Sequence, residues 1–385
     1  MALSSRVANI ALSSTLVVKK TADELKRRGI AVIDFGPGEP DFNTPEHVKQ
    51  AASRAIERNF TKYTAETGIP ELKNAIAQKY QREYGASYSP AEVIVSCGAK
   101  QALFNIALAL FEPGDEVILP SPYWVSYPEQ IKLAGAVPII LDTQEEHGFA
   151  LQAEQVKQKV SPRTKAIMLN SPCNPSGAVI ERRELKQIIE LARRHGFYVI
   201  ADECYEHFVY DTKHTSAAEF GKENVIIVSS VSKSYAMTGW RIGWAVSPKE
   251  IISAAAIIQS HSTSHPMSIA QAAAVEALNG DQSCLANMLS EYRKRRDFIV
   301  KELNTIDGLS VSPPPGAFSQ HPTVSQFFSA KIKSTADFAR YLLDEAQVAV
   351  VPGDAFGKEG YIRISYAVTM EQLAEGLRRM RKLLS

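Results

Sequence analysis

Val225-Ile-Ile-Val-Ser-Ser230-Val-Ser-Lys233-Ser-Tyr-Ala-Met-Thr-Gly-Trp-Arg241-Ile-Gly-Trp-Ala-Val246 carries an apolar run at each end and a cluster of polar groups between them. The first run has four β-branched residues in succession and no polar alternation, the pattern of a strand covered on both faces. Six further β-rich runs stand out, several of them likewise without polar alternation: Val93-Ile-Val95, Glu116-Val-Ile-Leu119, Val137-Pro-Ile-Ile-Leu141, Ala166-Ile-Met-Leu169, Tyr198-Val-Ile-Ala201 and Ile242-Gly-Trp-Ala-Val246. Helical patterns lie between them. Arg183 to Arg194 places Leu185, Ile188, Ile189 and Ala192 on one face, crowds basic residues into its last turn and meets Gly196 as a cap. The alternation predicts an α/β fold, a three-layer α/β/α unit around a mostly parallel seven-stranded sheet, spanning residues 46–280. The short spacing before Ile242 allows one antiparallel strand.

The flanks read differently. Thr21-Ala-Asp-Glu-Leu-Lys-Arg-Arg-Gly29 has a capping-box start and a glycine stop. Gly36-Pro-Gly-Glu-Pro-Asp41 is dense in turn formers, and Pro313-Pro-Pro-Gly316 punctuates a more helical, charged C-terminal third. Residues 1–45 and 281–385 are expected to form one smaller α+β domain.

Bulk composition narrows the function classes. In a chain of 385 residues with 45% apolar content, a net charge of +1 argues against nucleic acid and against an anionic membrane surface. No apolar run reaches the roughly 18 residues that span a bilayer, and Met1-Ala-Leu-Ser-Ser-Arg leads into no signal-peptide core, so a cytoplasmic location is expected. Cys97, Cys173, Cys204 and Cys284 form no Cys-x-x-Cys pair, and His261 and His265 sit in a polar stretch without an acidic third ligand. A disulfide scaffold and a metal site are therefore not expected.

The polar groups of the opening stretch carry chemistry. An amine at Lys233, hydroxyls at Ser230 and Ser232, and a guanidinium at Arg241 suit an aldehyde-bearing phosphate. That is the chemistry of pyridoxal 5'-phosphate. Other segments fall at strand ends, where open α/β sheets bind ligands. Ser96-Cys-Gly-Ala-Lys-Gln-Ala102 offers backbone N–H groups and a helix start for a phosphate; taken alone it reads first as a tight turn. Ser121-Pro-Tyr-Trp-Val-Ser-Tyr127 brings Trp124, able to stack on a flat ring or to serve as a core aromatic. Asn170-Ser-Pro-Cys-Asn-Pro-Ser-Gly177 is a rigid loop presenting Asn174. Asp202, in Ala201-Asp-Glu-Cys-Tyr205, suits a protonated pyridine nitrogen or a helix N-cap. Tyr63 lies in a turn-rich stretch, Gly36-Pro-Gly38 permits close backbone approach, and Arg363, in Gly360-Tyr-Ile-Arg-Ile-Ser-Tyr366, suits a carboxylate or an exposed strand face.

Taken together and in this order, the motifs resemble the class I (fold type I) pyridoxal-phosphate aminotransferases from about Val32 to Tyr366, and in wording the bacterial-type aspartate aminotransferases, through Gly98-Ala-Lys-Gln-Ala-Leu103 and Ser121-Pro-Tyr-Trp-Val-Ser-Tyr-Pro128. The resemblance implies a Schiff-base lysine and proton shuttle at Lys233, a pyridinium partner at Asp202, and hydrogen bonds to the ring's phenolic oxygen from Tyr205 and Asn174. It implies stacking by Trp124, and a phosphate cup from Gly98, Ala99, Ser230, Ser232 and Arg241. Tyr63 would reach the neighbouring subunit's phosphate in a homodimer with shared active sites. Arg363 and Gly38 would meet the substrate α-carboxylate; Lys100 and Thr15 would lie on the substrate side, Lys100 at a distal carboxylate. The implied reaction moves an amino group between an L-amino acid and a 2-oxo acid, aspartate and 2-oxoglutarate above all. Aromatic, prephenate or kynurenine-type specificity, or a lyase on the same frame, are the alternatives. Two segments depart from the family wording. Ser319-Gln320-His321 replaces aromatic residues of a strand expected to face the substrate, and Cys173 and Ser176 stand in the asparagine loop.

Overall fold

In a computed structural model, described over residues 4–8, 10, 11 and 14–385, the seven apolar runs form one sheet. Across it lie Val93–Ser96, Gly243–Val246, Val225–Ser230, Tyr198–Asp202, Thr164–Asn170, Glu116–Ser121 and Val137–Asp142. Gly243–Val246 runs antiparallel to both neighbours; the other pairings are parallel. Six of these strands are continuous apolar runs largely buried on both faces, whereas the edge strand Val137–Asp142 leaves Val137 and Ile140 exposed. Val93, Val95, Ile118, Ile167, Val199, Val225, Ile227 and Trp244 pack into one buried cluster with helices Glu46–Glu57, Pro70–Tyr84, Arg182–His195 and Ser268–Asn279. The alternate residues, Ile94, Val117, Leu119, Met168, Ile200, Ile226 and Ala245, pack into the opposite cluster with Ala99–Leu110, Ser126–Leu133 and Lys249–Ser260. The period of two is thus apolar on each side.

Helix Arg182–His195 buries Leu185, Ile188, Ile189, Leu191 and Ala192 and ends at left-handed Gly196. The N-terminal helix corrects its sequence reading: it runs Ser14–Arg27, so Thr21 lies inside it and does not cap it. The stop beside Gly29, at φ +82°, is as expected. Ile33–Asp34 pairs in parallel with Val348–Ala349, and Val351–Pro352, Ile362–Ser365 and Ser319–Gln320 form a three-stranded antiparallel sheet. Beneath them Phe35, Tyr292, Ile299, Phe318, Phe338, Ile364 and Leu373 form a third buried cluster.

Helix Pro70–Tyr84 carries an unannounced polar core. Lys79 follows Leu72, Ala75 and Ile76 on the buried face, and only 1% of its side chain is exposed. Its Nζ donates to Glu206 Oε2 at 2.7 Å and lies 2.9 Å from Glu83, while Ser229 Oγ donates to Glu206 Oε1 at 2.8 Å. Burial favours the protonated acid at Glu206, but the ammonium outweighs it and holds the carboxyl down to about 2. The Lys79 pair ties the segment after Asp202 to this helix, and the Ser229 hydrogen bond ties it to the strand that leads to Lys233.

Among the described residues, no helix is long and apolar enough to cross a membrane.

Candidate active site

The parallel strands deliver polar residues to one edge of the sheet: Asp202 and Ser230 end their strands, Asn170 ends another, and Ala99 opens the helix after Ser96. They surround a cavity of about 310 Å³, the size of a small-molecule site. Lys233, Asp202, Tyr205, Trp124, Asn174 and Arg363 line it, as do Gly38, Ala99, Lys100, Ser230, Ser232 and Arg241. Its charged lining is four cations, Lys100, Lys233, Arg241 and Arg363, against one acid, Asp202.

The lysine loop is tied to the N-terminal segment. Lys233 Nζ donates to Gly38 O at 2.5 Å, Thr238 Oγ1 to Glu39 Oε2 at 2.8 Å, and Thr44 Oγ1 to Ala236 O at 2.8 Å. Burial, with the charges of Arg363 and Arg241 adding to it, lowers the Lys233 amine to about 8. A fraction of it is therefore a free base at neutral pH.

Arg241 adopts a left-handed backbone, φ +57°, and its guanidinium donates to Thr238 O at 2.8 Å and Cys97 O at 3.3 Å. Gly98, at φ +88°, is the residue over which it passes: a Cβ there would lie 2.4 Å from Arg241 Nη2. A Cβ on Gly243 would lie 2.2 Å from Ala99 N. Both glycines keep a cradle open between a guanidinium, two serine hydroxyls and a helix N-terminus, a donor set suited to a phosphate.

Asp202 is 6% exposed. Its Oδ1 accepts from Cys204 N–H at 3.0 Å and its Oδ2 from the Tyr127 hydroxyl at 2.8 Å. Burial raises its proton affinity; the two donors work against that. Asn170 joins Asp202 to the asparagine loop, with Nδ2 donating to Asp202 O at 3.1 Å and Oδ1 accepting from Asn174 N–H at 2.7 Å. Asn174 Oδ1 in turn accepts from Arg363 Nη1 at 3.0 Å.

Arg363 is 3% exposed, so the exposed-strand reading fails. Nη2 donates to Gly36 O at 2.5 Å, and its Nε is buried without a partner among the described residues. Burial lowers this guanidinium to about 10, still a cation at neutral pH. A buried cation with unused donors is the feature of a carboxylate site. Lys100 Nζ sits 4.8 Å from the centre of the Trp124 ring, and burial followed by Arg241 lowers its pKa.

Tyr63 does not line this cavity. It is 92% exposed and meets His265 edge-on at 5.6 Å. The Thr15 side chain lies outside the described residues. Tyr127, Asn170 and Cys204 line the cavity without having been expected to. Tyr127 and Cys204 stand within quoted motifs, three residues from Trp124 and two from Asp202, but nothing in their type separates them from core residues.

The Ser319-Gln320-His321 departure does not face the cavity. Ser319 Oγ donates to Pro175 O at 2.7 Å, Gln320 Nε2 to Ser312 O at 2.8 Å, and the His321 ring stacks on Tyr361 at 5.1 Å. The strand register pairs Ser319 with Ser365; Ser319 turns to the asparagine loop, and Gln320 and His321 line a recess beside the 313–315 loop. His321 Nδ1 donates to Ile362 O at 3.0 Å, and burial lowers the ring to about 3. Below about pH 6.5, the ordinary histidine pKa, the unfolded chain takes a proton that the folded ring refuses. Stability therefore falls as pH drops from there toward 3. His321→Phe is expected to flatten that acid limb by about 1.4 kcal/mol per pH unit, read from urea unfolding at pH 7 and pH 5; equal slopes in both proteins would contradict it.

Residues 30–380 match the family model described as aminotransferase class I and II. A probable aspartate/prephenate aminotransferase of Aquifex aeolicus is 47% identical over 99% of this chain and 98% of its own. An aspartate aminotransferase of Geobacillus stearothermophilus is 44% identical over 100% and 99%. The solved structure of Thermus thermophilus aspartate aminotransferase with maleate superposes with a TM-score of 0.96 at 44% identity, covering all of both chains.

Proposed function

Because the chain belongs to the class I and II aminotransferase family, we propose that it moves amino groups between aspartate and 2-oxoglutarate, with pyridoxal 5'-phosphate held in the 310 Å³ cavity. The observation that carries this reading is the convergence of Lys233, Asp202, Arg241 and buried Arg363 on that one space. When bound, the cofactor supplies an electrophilic carbonyl carbon and a ring that accepts the electrons left by a departing α-proton.

The chain's residues do the rest. Ser230, Ser232, Arg241 and the N–H groups at Gly98 and Ala99 would hold the phosphate. Trp124 would cover the ring, Tyr205 and Asn174 would hold its phenolic oxygen, and Asp202, as an anion, would keep a proton on its nitrogen. Arg363 and Gly38 take the substrate α-carboxylate. Lys233 Nζ, with its lowered pKa, receives the α-proton and returns it to the cofactor-side carbon. The same residues run the second half-reaction backwards on an oxo acid, giving ping-pong turnover.

Residues 46–280 would act as the large unit, and 1–45 with 281–385 as the small one; the separate apolar cluster under the C-terminal third supports that division. An exposed aromatic at Tyr63, outside its own cavity, supports a homodimer in which each subunit completes the other's site. A cytoplasmic enzyme acting on small amino and oxo acids, without nucleic acid or membrane, fits the balanced charge.

Dicarboxylate preference rests on Lys100. Lys100→Ala is expected to lower kcat/KM for aspartate about 10- to 100-fold, the worth of one charge-assisted hydrogen bond, and to spare an amino acid with one carboxylate. Equal losses for both substrates would assign Lys100 to the cofactor cup. A second reading, ring-bearing oxo acids such as prephenate beside the dicarboxylates, is favoured by an adjoining cavity of about 720 Å³ that shares Lys100, Val125 and Arg241 with the site.

A further inference from the structure

We propose that Tyr127 is a positioning residue for Asp202: its hydroxyl keeps the carboxylate ionised and aimed into the cavity, and so sets how fully a bound ring nitrogen is protonated. The inference rests on the pyridoxal-phosphate reading above.

Tyr127 is the second residue of helix Ser126–Leu133 and is 2% exposed. Its ring packs in the apolar cluster that holds Ile131, Met168 and Ile200, and meets Trp124 edge-on at 5.4 Å and 78°. Its hydroxyl leaves that cluster to donate to Asp202 Oδ2 at 2.8 Å. Cys204 N–H takes Oδ1 from the other side at 3.0 Å. A carboxylate has about four acceptor directions, so two donors fix its plane and leave directions open toward the cavity it lines. The two donors are not equivalent. The Cys204 N–H belongs to the backbone and stays whatever the side chain; the Tyr127 hydroxyl is one oxygen atom that a substitution removes cleanly.

The chemistry requires such a donor. A buried carboxyl without compensation prefers to be neutral, and a neutral Asp202 gives no charge to hold a proton on a pyridine nitrogen. Removing the hydroxyl makes Asp202 the stronger base, so the shared proton moves from the ring toward the carboxyl. A stronger donor at the same place moves it the other way. The ring of Tyr127 serves packing and the Trp124 contact, and phenylalanine supplies both. The hydroxyl is therefore separable from the ring.

The test uses the holoenzyme reconstituted with pyridoxal phosphate labelled with nitrogen-15 in the ring. Two variants are compared with the native protein: Tyr127→Phe, and 3-fluorotyrosine at 127, a stronger donor of nearly the same shape. In Tyr127→Phe the nitrogen-15 resonance is expected to move toward the unprotonated position, and the cofactor dissociation constant to rise about 10-fold, the lower worth of a hydrogen bond to a charged group. In the fluorotyrosine protein the resonance is expected to move in the opposite direction, and that variant decides alone if Tyr127→Phe does not fold. A resonance unchanged in the folded variants, with only the melting temperature lowered, would overturn the proposal and leave Tyr127 a packing residue. Failure of the native protein to take up the cofactor would instead sink the functional reading, and this inference with it.

Discussion

Lys233→Ala is expected to fold, to take up pyridoxal phosphate and to lose transamination by at least about 10⁴-fold, the upper range for a single proton-transfer group. The loss has two sources. In the proposed mechanism the amine carries the proton between substrate and cofactor, and among the described residues the cavity holds no second amine so placed: Lys100 lies against Trp124, and the other two basic side chains, Arg241 and Arg363, are guanidinium groups. The fold should survive because, among the described residues, the Lys233 side chain makes one hydrogen bond, to Gly38 O, and the loop keeps its ties through Thr238 and Thr44. Steady-state transamination of aspartate, with cofactor content read from absorbance, checks this. Retention of more than about one hundredth of native turnover would remove Lys233 from the proton-transfer role.

Asp202→Asn should produce the second largest loss, about 10³-fold in kcat, comparable with deleting a preorganised electrostatic group from a buried site. Asparagine keeps the size of the side chain and an oxygen for the Cys204 N–H. It removes the negative charge that would hold the ring proton in the proposed mechanism. Aspartate KM should change far less than kcat, because the carboxylate partners proposed above are Arg363 and Lys100, not Asp202. A rise in KM with kcat intact would instead place Asp202 among the substrate-binding groups.

Much of this site is legible in the sequence for one physical reason. Strands covered on both faces are written as uninterrupted apolar runs, so the polar residue that ends each run stands out; Asn170, Asp202 and Ser230 are such residues. Arg363 stands out less. Its alternation with Ile362 and Ile364 reads as one wet face, yet both faces of that small strand are buried, and the arginine is held by Asn174 and Gly36 O. The N-terminal helix begins seven residues before its apparent cap at Thr21, because a serine, threonine or aspartate inside a helix has the same spelling as one at its start. Tyr127 is invisible as a functional group because an aromatic at the start of a helix is ordinarily core, and its ring is indeed core; only the hydroxyl's reach to Asp202 separates the two roles. The facing of the 319–321 segment is hidden in the sequence for a related reason. A strand's facing depends on its register with Ile362–Ser365, which residue types do not encode. Lys79 is the opposite case: its spacing from Leu72, Ala75 and Ile76 puts it on the buried face of its helix, a signal present in the chain.

We propose amino-group transfer on dicarboxylic substrates through Lys233, Arg363 and Lys100. It is tested most directly by a half-reaction screen. The holoenzyme is mixed with single amino acids, and the change of the cofactor from its aldehyde to its amine form is followed by absorbance. Aspartate and glutamate are expected to convert it fully within the first turnover, and Arg363→Ala should abolish the response to every amino acid. Conversion by aromatic amino acids with none by aspartate or glutamate would contradict the dicarboxylate assignment, and no conversion by any amino acid would contradict the account as a whole.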